Sequence, residues 1–380
     1  MSAIIQITPE QFTALVERKK FALKINRTAV RQLDAEEVGL DAIPEGITLQ
    51  ALLAEPDEAQ AWIIQDLLPA GGRALFSAQY KSGKTTVVTN LVRCLVGGGD
   101  FLGRFPVTPP DGIVAVLDFE MPRQTLRKWY RDQGIGRSEN VELHFLRGKA
   151  ASFDIRLAEV RQRWITKLRS SNVRFLVVDC LRPILDALGL DEHKDCGLFL
   201  TALDVLLRDA GIAGALVVHH AGHTGERARG DSRLRDWPDA EWVMVRATEN
   251  PASQRFFTAI GRDVEVPESA LSFDEVTRKL TMHPGRSRSK GKLRAALTAI
   301  QGFLRSNEGA TKKGLEEHLG GEHAQQTIRS AITWGVKTDR LAYGAAVRGG
   351  RLVILGTNQT ELDDEEAFAS FVSPTVQGVH

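Results

Sequence analysis

Cysteine is scarce in this chain. Cys94, Cys180 and Cys196 are too few and too scattered for a disulfide framework or a zinc site. An excess of charge of one sign is missing too. The 49 Lys and Arg stand against 48 Asp and Glu, a net of +1, so any affinity for nucleic acid must come from local patches. No run reaches the roughly 18 uninterrupted apolar residues of a membrane span, which excludes a membrane partner of that kind. The opening "MSAIIQITPEQF" has neither the basic start nor the long apolar core of a signal peptide, so a cytoplasmic location is expected. There is no internal repeat. What remains, 43% hydrophobic and 26% charged over 380 residues, is ordinary globular composition with room for two or three domains.

The hydrophobic pattern divides the chain. In the first 59 residues, Thr8-Pro9-Glu10 reads as an N-cap with proline at the first helical position, leading into "EQFTALVERKKFAL". From Ile63 onward, short apolar runs alternate with amphipathic segments. "RALFS" (73–77), "GIVAVLDF" (112–119), "RFLVVDC" (174–180) and "AGALVVHH" (213–220) predict buried strands of a mostly parallel sheet covered on both faces. Val88, Leu91, Val92 and Leu95 predict one covering helix, Leu157, Val160, Trp164 and Leu168 a second, and "LFLTALDVLLRDAG" (198–211) a third. After residue 240 the texture turns hairpin-like. The polar stretch 283–291 reads as a basic linker, and residues 292–357 as three helices followed by a glycine-turned hairpin, a winged-helix-like α+β domain. The tail, 358–380, begins acidic and is expected to be disordered.

The stretch "SAQYKSGKTT" (77–86) ends like a phosphate-binding loop, yet Ala78 stands where the usual Gly-x-x-x-x-Gly-Lys-[Ser/Thr] begins with glycine. Context decides in favour of the loop, because a buried strand precedes it and an amphipathic helix follows. Residues Ala78, Gln79, Tyr80, Lys81, Ser82, Gly83, Lys84, Thr85 and Thr86 are then the nucleotide-binding set. Backbone N–H groups and a helix N-terminus surround the polyphosphate, Lys84 reaches its terminal oxygens, and the Thr85 hydroxyl helps hold Mg²⁺. Such a loop demands an acid at another strand tip, which Asp179 supplies as the second metal residue. "VAVLDFEMP" adds two carboxylates. Glu120, just beyond the strand, is the candidate for polarising the attacking water, with Asp118 as the rival.

His219 and His220 end the fourth strand, where a histidine can sense the γ-phosphate. A zinc site at His219, His220 and His223 lacks cysteines or a carboxylate triad nearby. In the 221–236 loop, Arg227, Arg229, Arg233 and Arg235 either reach single-stranded DNA or pair on the surface with Glu226, Asp231 and Asp236.

Together, "WIIQDLLPAGGRALFSAQYKSGKTT", "VLDFEMP", "FLVVDCLRPIL", "VVHHAGHTGERARGDS" and the later "IGRD" resemble the RecA-like ATPases of the plasmid and phage RepA helicase type, relatives of the DnaB motor domain. The resemblance covers about residues 60–282. It implies ATP and Mg²⁺ as ligands, Lys84 and Thr85 on phosphate and metal, Glu120 as the catalytic carboxylate, Asp179 as the second acid and His220 as sensor. Arg262 matches the arginine finger such proteins insert into a neighbouring subunit's site, with Arg246 and Arg255 as competitors. Two departures stand out: Ala78, and the absence of a lysine two residues before Arg262.

Residues 286–351 carry 13 Lys and Arg against 5 Asp and Glu. On a winged helix, Gln325, Gln326 and Arg329 lie on the exposed face of a recognition helix, with Arg348 and Arg351 on the wing, facing duplex or single-stranded DNA. The expected function is a ring-forming, hexameric, ATP-hydrolysing replicative helicase acting on single-stranded DNA. The alternatives are a filament-forming recombinase or repair ATPase, and a nucleotide-gated winged-helix regulator.

Overall fold

The computed structural model describes residues 12–22, 24–25, 45–57, 59–220, 232–248, 250, 252–348 and 350–358. Most of the expected DNA loop (221–231), Thr8–Pro9 and the tail after residue 358 lie outside them. The chain divides into two units, 1–59 and 60–380. In the first, residues 12–22 are helical, and a short helix Leu49–Leu53 starts at Thr48, whose Oγ1 accepts from the Ala51 N–H at 3.2 Å.

The second unit is built on a nine-stranded sheet. Its elements are β1 (Arg73–Ala78), α1 (Lys84–Gly97), β2 (Ile113–Asp118), α2 (Arg123–Asp132), β3 (Val141–Phe145), α3 (Ala158–Ser170), β4 (Val173–Asp179), α4 (Leu181–Ala187), α5 (Cys196–Ala210), β5 (Gly214–His220), β6 (Ala240–Arg246), β7 (Arg255–Gly261), β8 (Glu265–Phe273) and β9 (Leu280–His283). The spatial order is β9-β8-β7-β6-β1-β5-β4-β2-β3. The six strands from β6 to β3 run parallel, and β7, β8 and β9 continue the sheet antiparallel.

Strand alternation splits the core in two. Phe76, Val114, Val116, Phe175 and Val177 point to one face, where Val88, Leu91, Val92 and Leu95 of α1 cover them. Leu75, Ala115, Leu117, Leu176 and Val178 point to the other, under Ile165 and Leu168 of α3 and Phe199, Leu203 and Leu206 of α5. Burial on both faces is why these strands read as continuous apolar runs.

The structure differs from the sequence reading in four places. The α3 stripe starts a turn later than expected: Leu157 is the exposed N-cap residue, and Ile165 with Leu168 forms the buried edge. β6, which looked like part of a hairpin, pairs antiparallel with β7 but also joins β1 in parallel. The basic linker is helical from Arg288. Ser287 caps that helix by accepting from the Lys290 N–H at 3.3 Å, and Glu268 holds the Arg288 guanidinium at 2.7 Å. β3, on the sheet edge, has no fully buried residue, so its apolar signal was too weak to read.

Beyond the sheet come α6 (Arg288–Arg305), β10 (Ala310–Thr311), α7 (Lys312–Leu319), α8 (Gln325–Lys337), β11 (Leu341–Val347) and β12 (Gly350–Leu355). They enclose a separate core around Leu297, Ile300, Leu315, Ile328, Ile332 and Trp334, with a small antiparallel sheet ordered β10-β12-β11. Among the described residues, no helix is long and apolar enough to cross a membrane.

Gly261 closes β7 against the chain entering β6. A Cβ there would sit 2.2 Å from the Asp239 carbonyl oxygen, which is backbone and cannot rotate away. Gly261→Ala is therefore expected to cost about 1–3 kcal/mol, read as a lowered urea midpoint at unchanged slope.

Candidate active site

Register brings the site together. In the parallel sheet Ala78 of β1 lies beside His220 of β5, and Asp118 of β2 beside Asp179 of β4, so these strands end at one level. Ligand sites of open α/β sheets form at such carboxyl ends.

Ala78 is the last residue of β1, fully buried, and paired on both sides with His220 and Met244. It has no positive φ, so the position needs none of glycine's freedom. The freedom is used at Gly83, which caps α1 at φ +101°. Between them the Ser82 hydroxyl donates to the Gln79 carbonyl at 2.6 Å, and the Gln79 side chain accepts from the Arg246 N–H at 3.0 Å. Tyr80 and Lys81 are exposed on the loop's outer side, Lys81 with φ +55°. The first turn of α1, Lys84-Thr85-Thr86, presents N–H groups that no intrahelical carbonyl can satisfy.

Lys84 is buried, and its Nζ donates to His220 Nδ1 at 2.9 Å. Burial lowers the Lys84 pKa, opposed by the negative charges of Glu120 and Asp179. The His220 pKa is lowered as well, first by burial and then by Lys84. His219 points to the other face, fully buried, with Nε2 at 2.9 Å from Glu192.

The carboxylates occupy unequal environments. Asp118 is buried, and its Oδ1 accepts from the N–H groups of Glu120 and Met121 at 3.1 and 2.7 Å, fixing the turn that presents Glu120. Burial raises its pKa to about 6. Glu120 lies past the strand end and is exposed. Asp179 is buried and pushed up to about 7, first by burial and then by the charges of Asp118 and Glu120. Its Oδ2 has no hydrogen-bond partner, an orphaned buried oxygen that fits a cation.

This arrangement has a stability consequence. The folded pKa values of Asp179 and Asp118 exceed their ordinary 3.8, so between about pH 4 and 7 the folded chain holds more protons than the unfolded one. Stability then falls as pH rises through that window. Asp179→Asn is expected to stabilise the nucleotide-free protein by about 1–2 kcal/mol at pH 8 and to flatten the fall, measured as thermal midpoints from pH 5 to 8.

Sequence reasoning missed two features. Cys180, which follows Asp179, is buried with its Sγ 3.5 Å from Glu120 Oε2 and 3.5 Å from His220 Nε2. Arg278, between β8 and β9, donates to the Thr86 hydroxyl at 3.1 Å and lies 4.4 Å over the Trp129 ring. With Ser82, Gly83, Arg255 and Phe273 it lines a recess of about 150 Å³ beside the loop. Cys180 ends the run that supplies Asp179 but has no place in a phosphate-loop pattern, and Arg278 falls in no run that marks a nucleotide site.

The three arginine-finger candidates separate. Arg246 and Arg255 face each other across β6 and β7 at the loop end of the sheet. Arg262 follows Gly261 at the opposite end of β7, about 20 Å along the strand from Arg255. Around it Arg235, Pro238, Glu241 and Ile260 line an open cavity of about 510 Å³.

Sheet order, strand-end acids and the glycine-capped lysine turn fit a P-loop nucleotide-binding core on a mostly parallel α/β sheet. Residues 42–226 match the family model described as an AAA domain. Among solved structures, a KaiC-like protein from the hyperthermophilic archaeon Pyrococcus horikoshii OT3 is similar, at 16% identity and a TM-score of 0.44, over 58% of this chain and 94% of that one. No curated protein matches the chain.

Proposed function

We propose that the chain is an ATP-driven DNA motor, a ring-forming replicative helicase of plasmid or phage type acting on single-stranded DNA. The observation that carries the ATPase chemistry is the convergence of Lys84, Glu120, Asp179 and His220 at adjacent strand ends. The loop from Ala78 to Thr86 cradles the polyphosphate, Lys84 moves from His220 to the terminal phosphate, and Glu120 orients and polarises the attacking water. His220, released by Lys84, senses the γ-phosphate. Thr85 and Asp179 are the residues that would hold Mg²⁺, whose contribution is to neutralise phosphate charge. The recess of Arg255, Phe273 and Arg278 receives the nucleoside end of ATP.

Arg262 acts on a neighbouring subunit's nucleotide, a reading supported by its place at the sheet end remote from its own loop. The region from α6 to β12 works as a winged helix on DNA. Gln325 and Gln326 are exposed at the start of α8, and Arg348 and Arg351 are exposed around the β11–β12 turn. Arg329 is exposed but engaged by Glu316 at 2.7 Å, so it reaches DNA only by exchanging that partner.

The test is ATP hydrolysis with and without single-stranded DNA, paired with negative-stain images of the oligomer. Stimulation by DNA and closed rings support the helicase. Filaments move the reading to a recombinase or repair ATPase. Negligible turnover in both conditions, with ATP-dependent duplex binding, moves it to a nucleotide-gated regulator.

A further inference from the structure

Three donor atoms of different chemistry meet beside Lys84. Cys180 Sγ is 3.5 Å from both Glu120 Oε2 and His220 Nε2, and the latter two are 3.9 Å apart. Each comes from a different strand end, and the separations of 60 and 40 residues along the chain hide the grouping from any linear motif. A four-coordinate zinc ion with bonds of about 2.3 Å to sulfur and about 2.0–2.2 Å to nitrogen and oxygen sets its ligands about 3.6 Å apart on the sulfur edges. The remaining nitrogen–oxygen edge is about 3.4 Å. Two of the observed distances match these edges closely, and the third closes with a small turn of the exposed Glu120 side chain. We propose that Glu120, Cys180 and His220 form a site for a thiophilic divalent cation of the zinc class, separate from the oxygen ligands that suit Mg²⁺.

The ligand types sort the two ions. Magnesium takes oxygen ligands in near-octahedral geometry and leaves sulfur alone, so it favours Thr85 and Asp179. A softer ion takes the thiolate and imidazole. Binding replaces the Cys180 thiol proton, which leaves to solvent, by a sulfur–metal bond, and no redox change is involved. Cys180 and its neighbours on β4 and β5 are packed in the core, while Glu120 and His220 border the open side, so the fourth position faces the solvent. Lys84 opposes the ion at rest. Its ammonium donates to His220 Nδ1, which leaves the neutral ring's proton on Nε2, the nitrogen the ion needs. Ligation therefore turns Lys84 away and shifts that proton to Nδ1.

The consequence for turnover rests on the functional reading above: an ion that claims Glu120 removes the carboxylate that polarises water, so it inhibits hydrolysis reversibly. The competing explanation is a set of thiol hydrogen bonds with no affinity for metal.

The deciding experiment titrates the untagged, nucleotide-free full chain with Co²⁺ as a spectroscopic probe, followed by Zn²⁺ competition. One equivalent of Co²⁺ is expected to give a thiolate-to-cobalt charge-transfer band in the near ultraviolet together with four-coordinate visible bands. Cys180→Ser, or Cys180→Ala as a second variant, abolishes the charge-transfer band and weakens binding about a hundredfold, while Glu120→Gln and His220→Gln each weaken it at least about tenfold. Lys84→Ala, lacking the competing hydrogen bond and a nearby positive charge, binds more tightly than wild type. Absence of the charge-transfer band in the wild type, or its survival in both Cys180 variants, overturns the site. With Mg·ATP present, Zn²⁺ lowers turnover and a chelator restores it, and Cys180→Ser is much less inhibited relative to its own zinc-free rate. A wild type that hydrolyses no ATP before zinc is added defeats the functional reading, while the cobalt spectrum still decides the site.

Discussion

Glu120→Gln is expected to bind ATP with little change and to hydrolyse it about 10²–10⁴-fold more slowly. Glu120 stands outside β2, beyond the buried Asp118, and the two backbone N–H groups that Asp118 accepts hold the intervening turn. Its carboxylate touches no residue of the phosphate loop, so the amide leaves the polyphosphate cradle intact. What is lost is the negative charge that polarises water. Single-turnover hydrolysis with ATP binding measured in parallel separates the two effects. Asp118→Asn provides the contrast. Its Oδ1 is committed to the turn, and an amide Oδ1 accepts the same two N–H groups, so above about pH 6 that variant is expected to keep the turn and lose no stability, because the buried charge is removed. A Glu120→Gln enzyme that keeps at least a tenth of wild-type turnover transfers the role to another group.

Arg262→Ala is expected to lower turnover about 10³-fold in the assembled protein while leaving nucleotide binding by each subunit unaltered. The reason is positional. β7 runs antiparallel to β6, so its first residue, Arg255, sits at the loop end and its last, Gly261, at the other. In the proposed head-to-tail ring, that end of the sheet is the one a neighbour's site would meet. Arg246 and Arg255, flanking their own loop, are expected to weaken nucleotide binding when truncated. Subunit mixing gives the sharper reading. Glu120→Gln and Arg262→Ala proteins, each inactive alone, regain activity when mixed one to one, because about a quarter of random interfaces join an intact glutamate to an intact arginine. If mixing restores nothing, Arg262 does not act across the interface.

Much of the core was legible because a parallel sheet buried on both faces needs continuous apolar strands, and "RALFS", "IVAVLD", "RFLVVD" and "ALVVHH" are such runs. The loop was legible because its residues are consecutive. The edge strand β3 and the parallel partnership of β6 with β1 were not, since a half-exposed strand carries little apolar signal and pairing partners lie far apart in the chain. The start of α6 was hidden for another reason. Ser287 and the basic residues after it look like a polar linker until the Ser287 cap and the Glu268 contact with Arg288 are seen.

By itself the sequence determined the make-up of the candidate nucleotide site: a lysine, a hydroxyl and strand-end acids in local contexts that carry their own physical meaning. It also determined why Ala78 raised a question, though only the fold answers it, through a buried strand residue without a left-handed backbone. The tertiary structure alone decided that His219 turns to Glu192, where Arg262 stands relative to its own loop, and that Cys180 meets Glu120 and His220. Those three depend on register and strand order, which arise from many weak long-range contacts that no short stretch of residues encodes.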